Sequence, residues 1–346
     1  MSEKGNVGAR KNPFDVRSAR STVDVLHYGL GPIGLGIAAL ALDRGYRAVA
    51  AVDIDPQKSG RDLGELVGRD RLGVAVTADV PAALAAKPRV VFHSTQSHLG
   101  QVTSQLLVLV GGGASVISTC EELAFPWSHH PDEARRIDEA AKATGVTVVG
   151  LGVNPGFVMD LLPIVLTAPC REIRRVTITR VVEAGQRRLP LQRKVGAGMT
   201  RSEFEEGVAA GRIGHVGLRE SVAMIADALG WTVATINEHI EPVVDGTTVQ
   251  GLHQVATGRR RPEEGRVDVH VSGGGPAITL DLTMAVHAPE PRDSIAIEGD
   301  PPITMTITGG IHGDVATCAL AVNAVPRVLE TPPGLTTVNR LPPIHR

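Results

Sequence analysis

Aromatic residues and cysteines are both scarce in this sequence of 346 residues. Aromatics make up only 3% of the chain, which is too few for the stacking platforms that bind single-stranded nucleic acid. The three cysteines, Cys120, Cys170 and Cys318, include no CxxC pair, so neither a disulfide framework nor a structural zinc site is expected. A formal net charge of -2 also provides no basic surface for nucleic acid or anionic lipid.

Signals for export or membrane insertion are missing as well. The first 20 residues are polar and charged and lack the apolar stretch and cleavage site of a signal peptide. No run of about 18 apolar residues follows, and the hydrophobic fraction of 42% is ordinary for a protein with a core. We therefore expect a soluble, cytoplasmic protein with a disordered arm over residues 1–22 and no membrane or nucleic-acid partner.

Several common catalytic groups are also absent. The only tyrosines are Tyr28 and Tyr46, and neither has the lysine four positions later that a short-chain dehydrogenase requires. Lys194 is the only lysine after Lys142, which argues against a catalytic lysine in the second half of the chain. No HExxH motif or other dense ligand cluster indicates a metal, so no metal cofactor is expected. A carboxylate is therefore the favoured proton carrier.

Strands and helices alternate over residues 23–153, which predicts a doubly wound parallel sheet of the Rossmann type over residues 23–155. The expected strands are Val23–Leu26, Ala48–Val52, Arg89–Phe92, Ser115–Ile117 and Val146–Leu151. The expected helices are Ile33–Leu42, Leu99–Val110 and Pro131–Thr144.

The pattern changes after about residue 155, where apolar and polar residues alternate with period two. This predicts a second, α+β domain over residues 156–309 with an open, mainly antiparallel sheet and helices near residues 202–210 and 216–229. Residues 310–346 contain an apolar helix and a proline-rich, extended tail, which we expect to pack back on the first domain. The alternating strands are Arg174–Val182, Arg266–Val271, Ile278–Val286 and Ile303–Thr308, and the last helix is Asp314–Leu329.

The segment HYGLGPIGLG contains a glycine motif, Gly29-x-Gly31-x-x-Gly34, where the first strand meets the first helix. In dinucleotide-binding proteins these glycines permit a tight turn, the approach of backbone N–H groups to the pyrophosphate, and close packing of helix and strand. The helix N-terminus also favours an anion. We therefore expect this loop, including Pro32 and Ile33, to bind a dinucleotide.

Asp53 lies at the tip of the second strand, 19 residues after Gly34, where a carboxylate binds the ribose hydroxyls of NAD. Its charge favours NAD because it repels the 2′-phosphate of NADP. However, Lys58 and Arg61 follow closely and could pair with that phosphate. The expected cofactor is NAD or NADP, with NAD favoured.

The segment STCEELAFP, residues 118–126, follows a short buried strand and combines a thiol with two adjacent carboxylates. Cys120 could be a nucleophile, but the two carboxylates would raise its pKa and no histidine adjoins it, so we favour a packing role. The glutamates could instead cap a turn at the surface, or one could be an acid/base. Glu121 is favoured because it should point over the carboxyl edge of the sheet, where ligands bind. Glu122 would then point to backbone N–H groups.

An acid/base carboxylate needs a desolvating environment that raises its pKa toward neutrality. The residues that follow the glutamates, Leu123, Phe125 and Trp127, are expected to form that apolar pocket.

Several motifs occur in one order along the chain: YGLGPIG, VDIDP with GRDLGELVG, STCEELAFPW, GVNPGFVMDLLP, GHVGLRES and VNAVPRVLETPPGL. Together they resemble the 2,4-diaminopentanoate dehydrogenases and the similar native amine dehydrogenases, whose first domain resembles that of dihydrodipicolinate reductase. The resemblance covers nearly the whole chain after about residue 22. It implies NAD(P)-dependent interconversion of an amine with a ketone plus ammonia, in a homodimer joined through the second sheet.

The resemblance also implies roles for individual residues. The carboxylate after the TC turn, here Glu121 with Glu122 beside it, would face the reactive carbon. Asn154-Pro155-Gly156 would lie by the nicotinamide, and Ser94-Thr95 would approach the cofactor. Dihydrodipicolinate reductase itself is disfavoured, because its histidine-rich stretch includes a lysine, whereas His129-His130 here is followed by Pro-Asp-Glu.

The substrate is less defined by the sequence. Phe157, Met159 and Met199 could line an apolar pocket for a simple amine, and His215 could meet the substrate or merely pack. An amine that carries a carboxylate would instead need an inward-facing cation, for which the candidates are Arg180, Arg193, Arg201 and Arg219. Two other functions stay open: a dehydrogenase of a hydroxyl or aldehyde on the same scaffold, and a non-catalytic NAD(P)-binding protein.

Overall fold

The computed structural model describes residues 22–185, 187, 189–261 and 275–346. The strands are β1 (Asp24–Tyr28), β2 (Arg47–Val52), β3 (Val76–Thr77), β4 (Val90–His93), β5 (Ser115–Ser118), β6 (Thr147–Gly150), β7 (Glu172–Glu183), β8 (Val233–Asp245), β9 (Thr248–Arg260), β10 (Ile278–Ala285), β11 (Arg292–Asp300), β12 (Ile303–Thr308) and β13 (Gly334–Thr337). The α-helices are α1 (Pro32–Asp43), α2 (Leu63–Leu66), α3 (Val80–Leu84), α4 (Leu99–Gly111), α5 (Pro131–Thr144), α6 (Leu161–Leu166), α7 (Leu189–Lys194), α8 (Arg201–Ala209), α9 (Leu218–Ala228) and α10 (Gly313–Glu330). Two short 3₁₀ helices span Glu121–Ala124 and Val338–Arg340.

The first domain is built on a seven-stranded sheet in the order β13-β6-β5-β4-β1-β2-β3, and all neighbouring strands in it are parallel. The strands β4, β5 and β6 are buried on both faces, which explains why their sequences are apolar without alternation. Helices α4 and α5 cover one face of the sheet, and α1 and α10 cover the other. The predicted Rossmann architecture is confirmed.

The second sheet has six strands in the order β12-β11-β7-β10-β9-β8. Four of its five pairings are antiparallel, and β7 pairs with β10 in parallel. Helix α9 covers one face, where Val222 and Ile225 join the apolar cluster formed by alternate residues of the strands. The prediction of a mainly antiparallel sheet in an α+β domain is confirmed. The strand predicted over Arg266–Val271 lies outside the described residues.

The elements that were not predicted include β3, β11, β13, the β8–β9 hairpin and the short helices α2, α3, α6 and α7. The hairpin of β8 and β9 was missed because the sequence NEHIEP interrupts the apolar alternation of β8. Strand β8 is an edge strand, where charged residues and a proline are tolerated. The tail, expected to be extended and to pack back on the first domain, adds β13 to the edge of the first sheet through pairing with β6. Within the described part of the chain, no helix has the length and hydrophobicity to cross a bilayer.

Candidate active site

A cleft of about 370 Å³ lies where the carboxyl ends of β1, β4, β5 and β6 meet the second domain. First-domain loops contribute residues 31–34, 94–97, 119–121 and 151–155 to its walls. Strands β7 and β10 and helices α7 and α10 supply most of the remaining walls. Ligands of open α/β sheets bind at this edge, and the volume is that of a small-molecule site.

The glycine loop has the shape of a pyrophosphate cradle. A β-carbon placed on Gly34 would lie 1.8 Å from the carbonyl oxygen of Gly29, so only glycine permits this contact between strand and helix. No atom of the described residues lies within 4 Å of a β-carbon placed on Gly31, which is the N-cap of α1 and provides no side-chain cap. The N–H groups of the first helical turn are therefore open to an anion. Pro32 and Ile33 line the same part of the cleft.

Asp53 holds this loop from the end of β2. One of its carboxylate oxygens accepts a hydrogen bond from the Leu30 N–H at 2.6 Å, and the other accepts one from the Asp55 N–H at 2.8 Å. The Lys58 ammonium lies 3.3 Å from the first of these oxygens. Asp53 therefore lies beside the glycine loop at the end of β2 and is paired with a lysine.

The loop after β4 brings two of the predicted cofactor residues, Ser94 and Thr95, to the cleft. The Ser94 hydroxyl donates a hydrogen bond to the Gly29 carbonyl at 3.0 Å, which joins this loop to the glycine loop. The two loops therefore form one continuous wall.

A fully buried histidine, His93, underlies this wall. Its Nδ1 lies 2.9 Å from the Ser118 hydroxyl, which itself accepts a hydrogen bond from the Cys120 N–H. On the other side, Nε2 lies 2.8 Å from Oε1 of Gln105, an oxygen that can only accept, so Nε2 carries the hydrogen. Burial lowers the pKa of His93 to about 4, so the ring is neutral at neutral pH. This residue was not predicted to belong to the site, because a histidine at a strand end has no distinctive sequence pattern.

The loop after β6 supplies Asn154 and Pro155, which line the cleft and are joined by a cis peptide bond. The side-chain oxygen of Asn154 is buried and has no hydrogen-bond partner within the described structure. Such an acceptor fits a ligand donor like the carboxamide of a nicotinamide. Gly156, also predicted to bind cofactor, lies behind this loop, where its N–H donates to Asp160 at 2.7 Å.

His215 lines the cleft from the segment before α9. Its Nε2–H donates a hydrogen bond to the carbonyl of Asn154 at 3.2 Å, and its backbone N–H donates to Gln254 at 2.7 Å. Burial, and then the charges of Lys194 and Arg180, lower the pKa of His215 to about 3. The ring is therefore neutral and acts as a donor that holds the Asn154 loop.

Glu121 lies on the wall of the cleft, at the start of the 3₁₀ helix that follows β5. Its side chain is 23% exposed. Burial raises the pKa of Glu121, and the nearby Lys194 ammonium opposes that rise. A carboxylate in this setting can hold a cation and exchange a proton with a bound ligand.

Glu122, which was also included among the catalytic candidates, does not line the cleft. One of its oxygens lies 2.8 Å from Nδ1 of His98, and the other accepts a hydrogen bond from the Leu99 N–H at 2.6 Å. Nε2 of His130 lies 3.2 Å away. Glu122 therefore caps the N-terminus of α4. It points away from the cleft because successive residues of the turn point in different directions. Despite its two histidines, no metal-binding cluster of His, Cys, Asp and Glu occurs among the described residues.

Cys120 is 1% exposed, and its thiol donates a hydrogen bond to the Ser97 carbonyl at 3.2 Å. Burial raises its pKa strongly, and the charges of Glu121 and Glu122 raise it further. A thiol in this state is not a nucleophile at neutral pH.

Lys194 is the main residue that the sequence analysis discounted. It ends the short helix α7, and its ammonium lies 4.0 Å from Oε1 of Glu121 across the cleft. The rarity of lysine in the second domain argued against a catalytic lysine, but the fold brings this single lysine to the site. No periodic pattern in the segment LPLQRK could have shown that.

Two arginines also line the cleft, Arg180 and Arg187, and only the first of them was a candidate. Arg180 is buried and donates to Asp293 at 2.8 Å and to the Ile311 carbonyl at 2.6 Å, so both of its terminal nitrogens are held by the second domain. Arg187 pairs with Asp314 at 3.1 Å, while its Nε is buried without a partner in the described structure. The other candidates, Arg193, Arg201 and Arg219, do not line the cleft.

The apolar lining differs from the expectation. Met159 is fully buried in the second core, Phe157 packs against that core, and neither lines the cleft. Leu123 and Phe125 are likewise core residues, because the 3₁₀ helix turns them away from the cleft after Glu121. Trp127 and Met199 also lie outside the lining. The apolar side chains that form the lining of the second domain are Val182, Pro190, Leu191, Leu282 and Met284.

Comparisons with known proteins agree with this architecture. The model of the 2,4-diaminopentanoate dehydrogenase C-terminal domain matches residues 157–346. A 2,4-diaminopentanoate dehydrogenase of Acetoanaerobium sticklandii is 31% identical over 335 residues, which cover 92% of this chain and 93% of the relative. An amine dehydrogenase of Streptomyces virginiae is 26% identical over 276 residues, which cover 77% of this chain and 76% of the relative.

Solved structures give the same result at the level of the fold. The amine dehydrogenase from Mycobacterium smegmatis has a TM-score of 0.82 and 26% identity, covering 94% of this chain and 98% of that one. A dipicolinate-bound dihydrodipicolinate reductase from Paenisporosarcina sp. TG-14 has a TM-score of 0.50 and 12% identity, covering 89% of this chain and 95% of that one. The second similarity concerns the fold alone.

Proposed function

The chain belongs to the 2,4-diaminopentanoate dehydrogenase family, and from this premise we propose that it is an NAD(P)-dependent amine dehydrogenase. It interconverts an amine with a ketone plus ammonia. One observation carries the proposal: Glu121 faces a cleft whose glycine loop fits a dinucleotide, and neither tyrosine of the chain lines that cleft. We therefore assign the acid/base role to the Glu121 carboxylate.

The reaction defines what the protein must do. In the amine-forming direction, a ketone, an ammonium ion, a reduced cofactor and a proton give a protonated amine, the oxidised cofactor and water. Ammonia adds to the carbonyl carbon, the carbinolamine loses water, and the iminium accepts a hydride, which bound NAD(P)H supplies. The protein must take a proton from ammonium, return one to the departing hydroxyl, and stabilise a cation between these steps.

Glu121 is suited to all three tasks. As a carboxylate it accepts the proton from ammonium, and as a carboxylic acid it returns that proton to the hydroxyl of the carbinolamine. Once ionised again, it faces the positive charge of the iminium. Burial, which raises the pKa of Glu121, supports this exchange because it brings the two protonation states closer in free energy.

The remaining site residues are proposed to hold the cofactor and orient the loops. Gly31, with the first turn of α1, would bind the pyrophosphate, and Asp53 the ribose. Asn154 would accept a hydrogen bond from the carboxamide through its unpaired buried oxygen. His215 would keep the Asn154 carbonyl in place, since its neutral ring already donates to it.

Arg187 supports a substrate that carries a carboxylate. Its side chain is 9% exposed, one nitrogen pairs with Asp314, and the buried Nε lacks an acceptor. A buried guanidinium N–H without an acceptor is costly, and a carboxylate is its natural partner. We therefore favour an amino acid such as the 2,4-diaminopentanoate of the relative over a simple apolar amine.

The substrate proposal is tested with two amines. Arg187→Met should lose most of the preference for 2,4-diaminopentanoate over pentan-2-amine, measured as the ratio of kcat/KM values. Arg193→Met is the matched control, because Arg193 is exposed and outside the cleft. Equal efficiency of the parent enzyme with both amines would contradict the proposal.

NAD is the proposed preferred cofactor, with NADP also accepted. Asp53 carries the charge that favours NAD, and Lys58, 3.3 Å from it, reduces the repulsion of a 2′-phosphate. Lys58→Ala should therefore raise the KM for NADPH more than the KM for NADH. An equal rise for both cofactors would contradict the role of Lys58.

A homodimer joined through the second sheet is the proposed assembly. The residues of β7, β9 and β10 that point away from α9 include Thr177, Thr257 and Thr279, and they are only partly buried. A six-stranded sheet with one uncovered face is suited to pairing with a second copy. Light scattering after gel filtration should give twice the mass of 36.3 kDa, and a monomer would contradict this assembly.

The decisive experiment for the activity follows NADH oxidation with a ketone, with and without ammonium. Oxidation that requires ammonium supports amine formation. Ketone reduction at the same rate without ammonium would show an alcohol dehydrogenase instead. Tight NADH binding without turnover of any amine or ketone would indicate a non-catalytic protein.

A further inference from the structure

We propose that Lys194 is a positioning residue that keeps Glu121 ionised and directed into the cleft until the ammonium or iminium replaces it as the partner of the carboxylate. The inference rests on the proposed function of Glu121 and adds a second-domain residue to the reaction. Its basis is the 4.0 Å between the Lys194 ammonium and Oε1 of Glu121, which belong to different domains.

The backbone of Lys194 is held next to another residue of the cleft. It is the last residue of α7, and its backbone carbonyl accepts a hydrogen bond from the Gly214 N–H, at 3.4 Å. His215, which follows Gly214 in the chain, lines the same cleft. The side chain of Lys194 is 35% exposed, so its ammonium can reach Glu121 and still withdraw toward solvent.

The other charged groups around Glu121 are engaged elsewhere. His98 is held by Glu122, Arg180 by Asp293 and Arg187 by Asp314. His215 is neutral, because burial lowers its pKa to about 3. Within the described residues, Lys194 is therefore the cation within 4.0 Å of Glu121 that has no other carboxylate partner.

This arrangement solves a difficulty of the reaction. Burial raises the pKa of Glu121 and favours its neutral form, which would hold an ammonium ion poorly. The Lys194 charge opposes that effect while the site lacks substrate. Because ammonium and iminium carry the same charge as Lys194, either can take its place without leaving a buried carboxylate unpaired.

The role differs from that of a surface ion pair. An exposed ion pair contributes little to stability, and its loss would leave the pH dependence of turnover unchanged. A pair that sets the ionisation of the acid/base group must instead determine the pH at which the acid limb of the pH–rate profile falls. Because the Lys194 charge lowers the pKa of Glu121, its removal raises that pKa, and the acid limb must move to higher pH.

The test compares Lys194→Met with Lys194→Arg, which keeps the charge. Arg193→Met is the control, since it removes the neighbouring cation of α7 that lies outside the cleft. We expect Lys194→Met to lose about tenfold or more in kcat/KM for ammonium at pH 7, to recover at alkaline pH, and to show its acid limb at higher pH. Lys194→Arg and Arg193→Met should keep the limb of the parent enzyme.

A second readout does not depend on turnover. Infrared difference spectra between the parent enzyme and Glu121→Gln report the protonated carboxyl of Glu121 directly. In the Lys194→Met background this signal should persist to higher pH. NADH affinity, followed by nucleotide fluorescence, should stay unchanged in all variants that fold, and Lys194→Gln can replace the Met variant if the latter does not fold.

The outcomes separate the two proposals. If the acid limb and the infrared signal of Lys194→Met stay where the parent enzyme has them, the inference is wrong, whatever the rate. The same holds if the Met and Arg variants lose equal activity at every pH, since that indicates a structural role. If Glu121→Gln keeps full activity, the proposed role of Glu121 fails first, and this inference fails with it.

Discussion

The hydroxyl of Ser118 lies 2.9 Å from Nδ1 of His93, which joins the ends of β4 and β5 beneath the cleft. One strand continues into the loop of Ser94 and Thr95, and the other into the loop of Glu121. A buried pair of neutral polar groups thus sets the position of the proposed cofactor wall relative to the proposed acid/base carboxylate.

Replacing His93 should disturb both loops. His93→Phe removes the ring nitrogens that contact the buried Ser118 and the half-buried Gln105, which should lower the free energy of unfolding by about 1–3 kcal/mol. The KM for NADH should rise as well, because Thr95 shares the same network. Urea unfolding and steady-state kinetics at pH 7 measure the two effects.

His27→Phe is a control for this variant. His27 is a buried neighbour in β1, stacked on Phe92, and among the described residues neither of its ring nitrogens has a hydrogen-bond partner. The control should therefore retain cofactor affinity. The interpretation of His93 is wrong if both variants have the stability and NADH affinity of the parent.

Acid should destabilise the fold between about pH 6.5 and pH 4. Burial lowers the pKa of His27 and of His93 from the usual 6.5 to about 4, so the unfolded chain binds more protons in this window. The contribution of these two neutral rings to the free energy of unfolding is fully present above pH 6.5. It is lost as the pH falls toward 4, by up to about 3 kcal/mol per histidine.

The acid effect is measured as the urea midpoint between pH 7 and pH 4.5. The midpoint of His27→Phe should fall less than that of the parent over this range. Parallel curves for the parent and His27→Phe would show that His27 is not buried as a neutral ring.

Gly217 should not tolerate a side chain. Its φ is +108°, and a β-carbon would lie 2.5 Å from Cδ of Pro155 and 3.2 Å from Cβ of Glu121. Gly217→Ala should therefore push α9 away from the site, lower kcat, and cost about 1–3 kcal/mol of stability.

Gly246→Ala is matched to this substitution, since Gly246 also has a positive φ but has open space around its β-carbon position. It should show only the backbone cost of about 1 kcal/mol and keep full kcat. Thermal unfolding and kcat measured on both variants test the contact. Identical behaviour of the two alanine variants would mean that Gly217 does not support the site.

Much of the fold was predictable because its signals are local. The segment at Gly29 is a turn followed by a helix, and the fully apolar strands β4 to β6 indicate burial on both faces. The edge strand β8 and the four-residue strand β13 could not be predicted this way. Their pairing partners, rather than their own patterns, stabilise them as strands.

The site was predictable only in part, and for a similar reason. Glu121 was distinguished from Glu122 because consecutive residues in a turn leave the strand end in different directions. Lys194 and Arg187 reach the cleft from a separate domain, so no spacing in the sequence connects them with Glu121. Phe157 and Met159 closely follow the Asn154 loop, but the chain turns into the second core before they reach the cleft.

The turnover of Glu121→Gln and Glu122→Gln in ketone amination tests the central claim most directly. We predict that Glu121→Gln lowers kcat by about 100-fold or more while NADH affinity is retained, because the acid/base group is lost. Glu122→Gln should keep most of kcat and lose stability at the N-terminus of α4, where Glu122 accepts the Leu99 N–H. An active Glu121→Gln enzyme beside an inactive, folded Glu122→Gln enzyme would contradict the account.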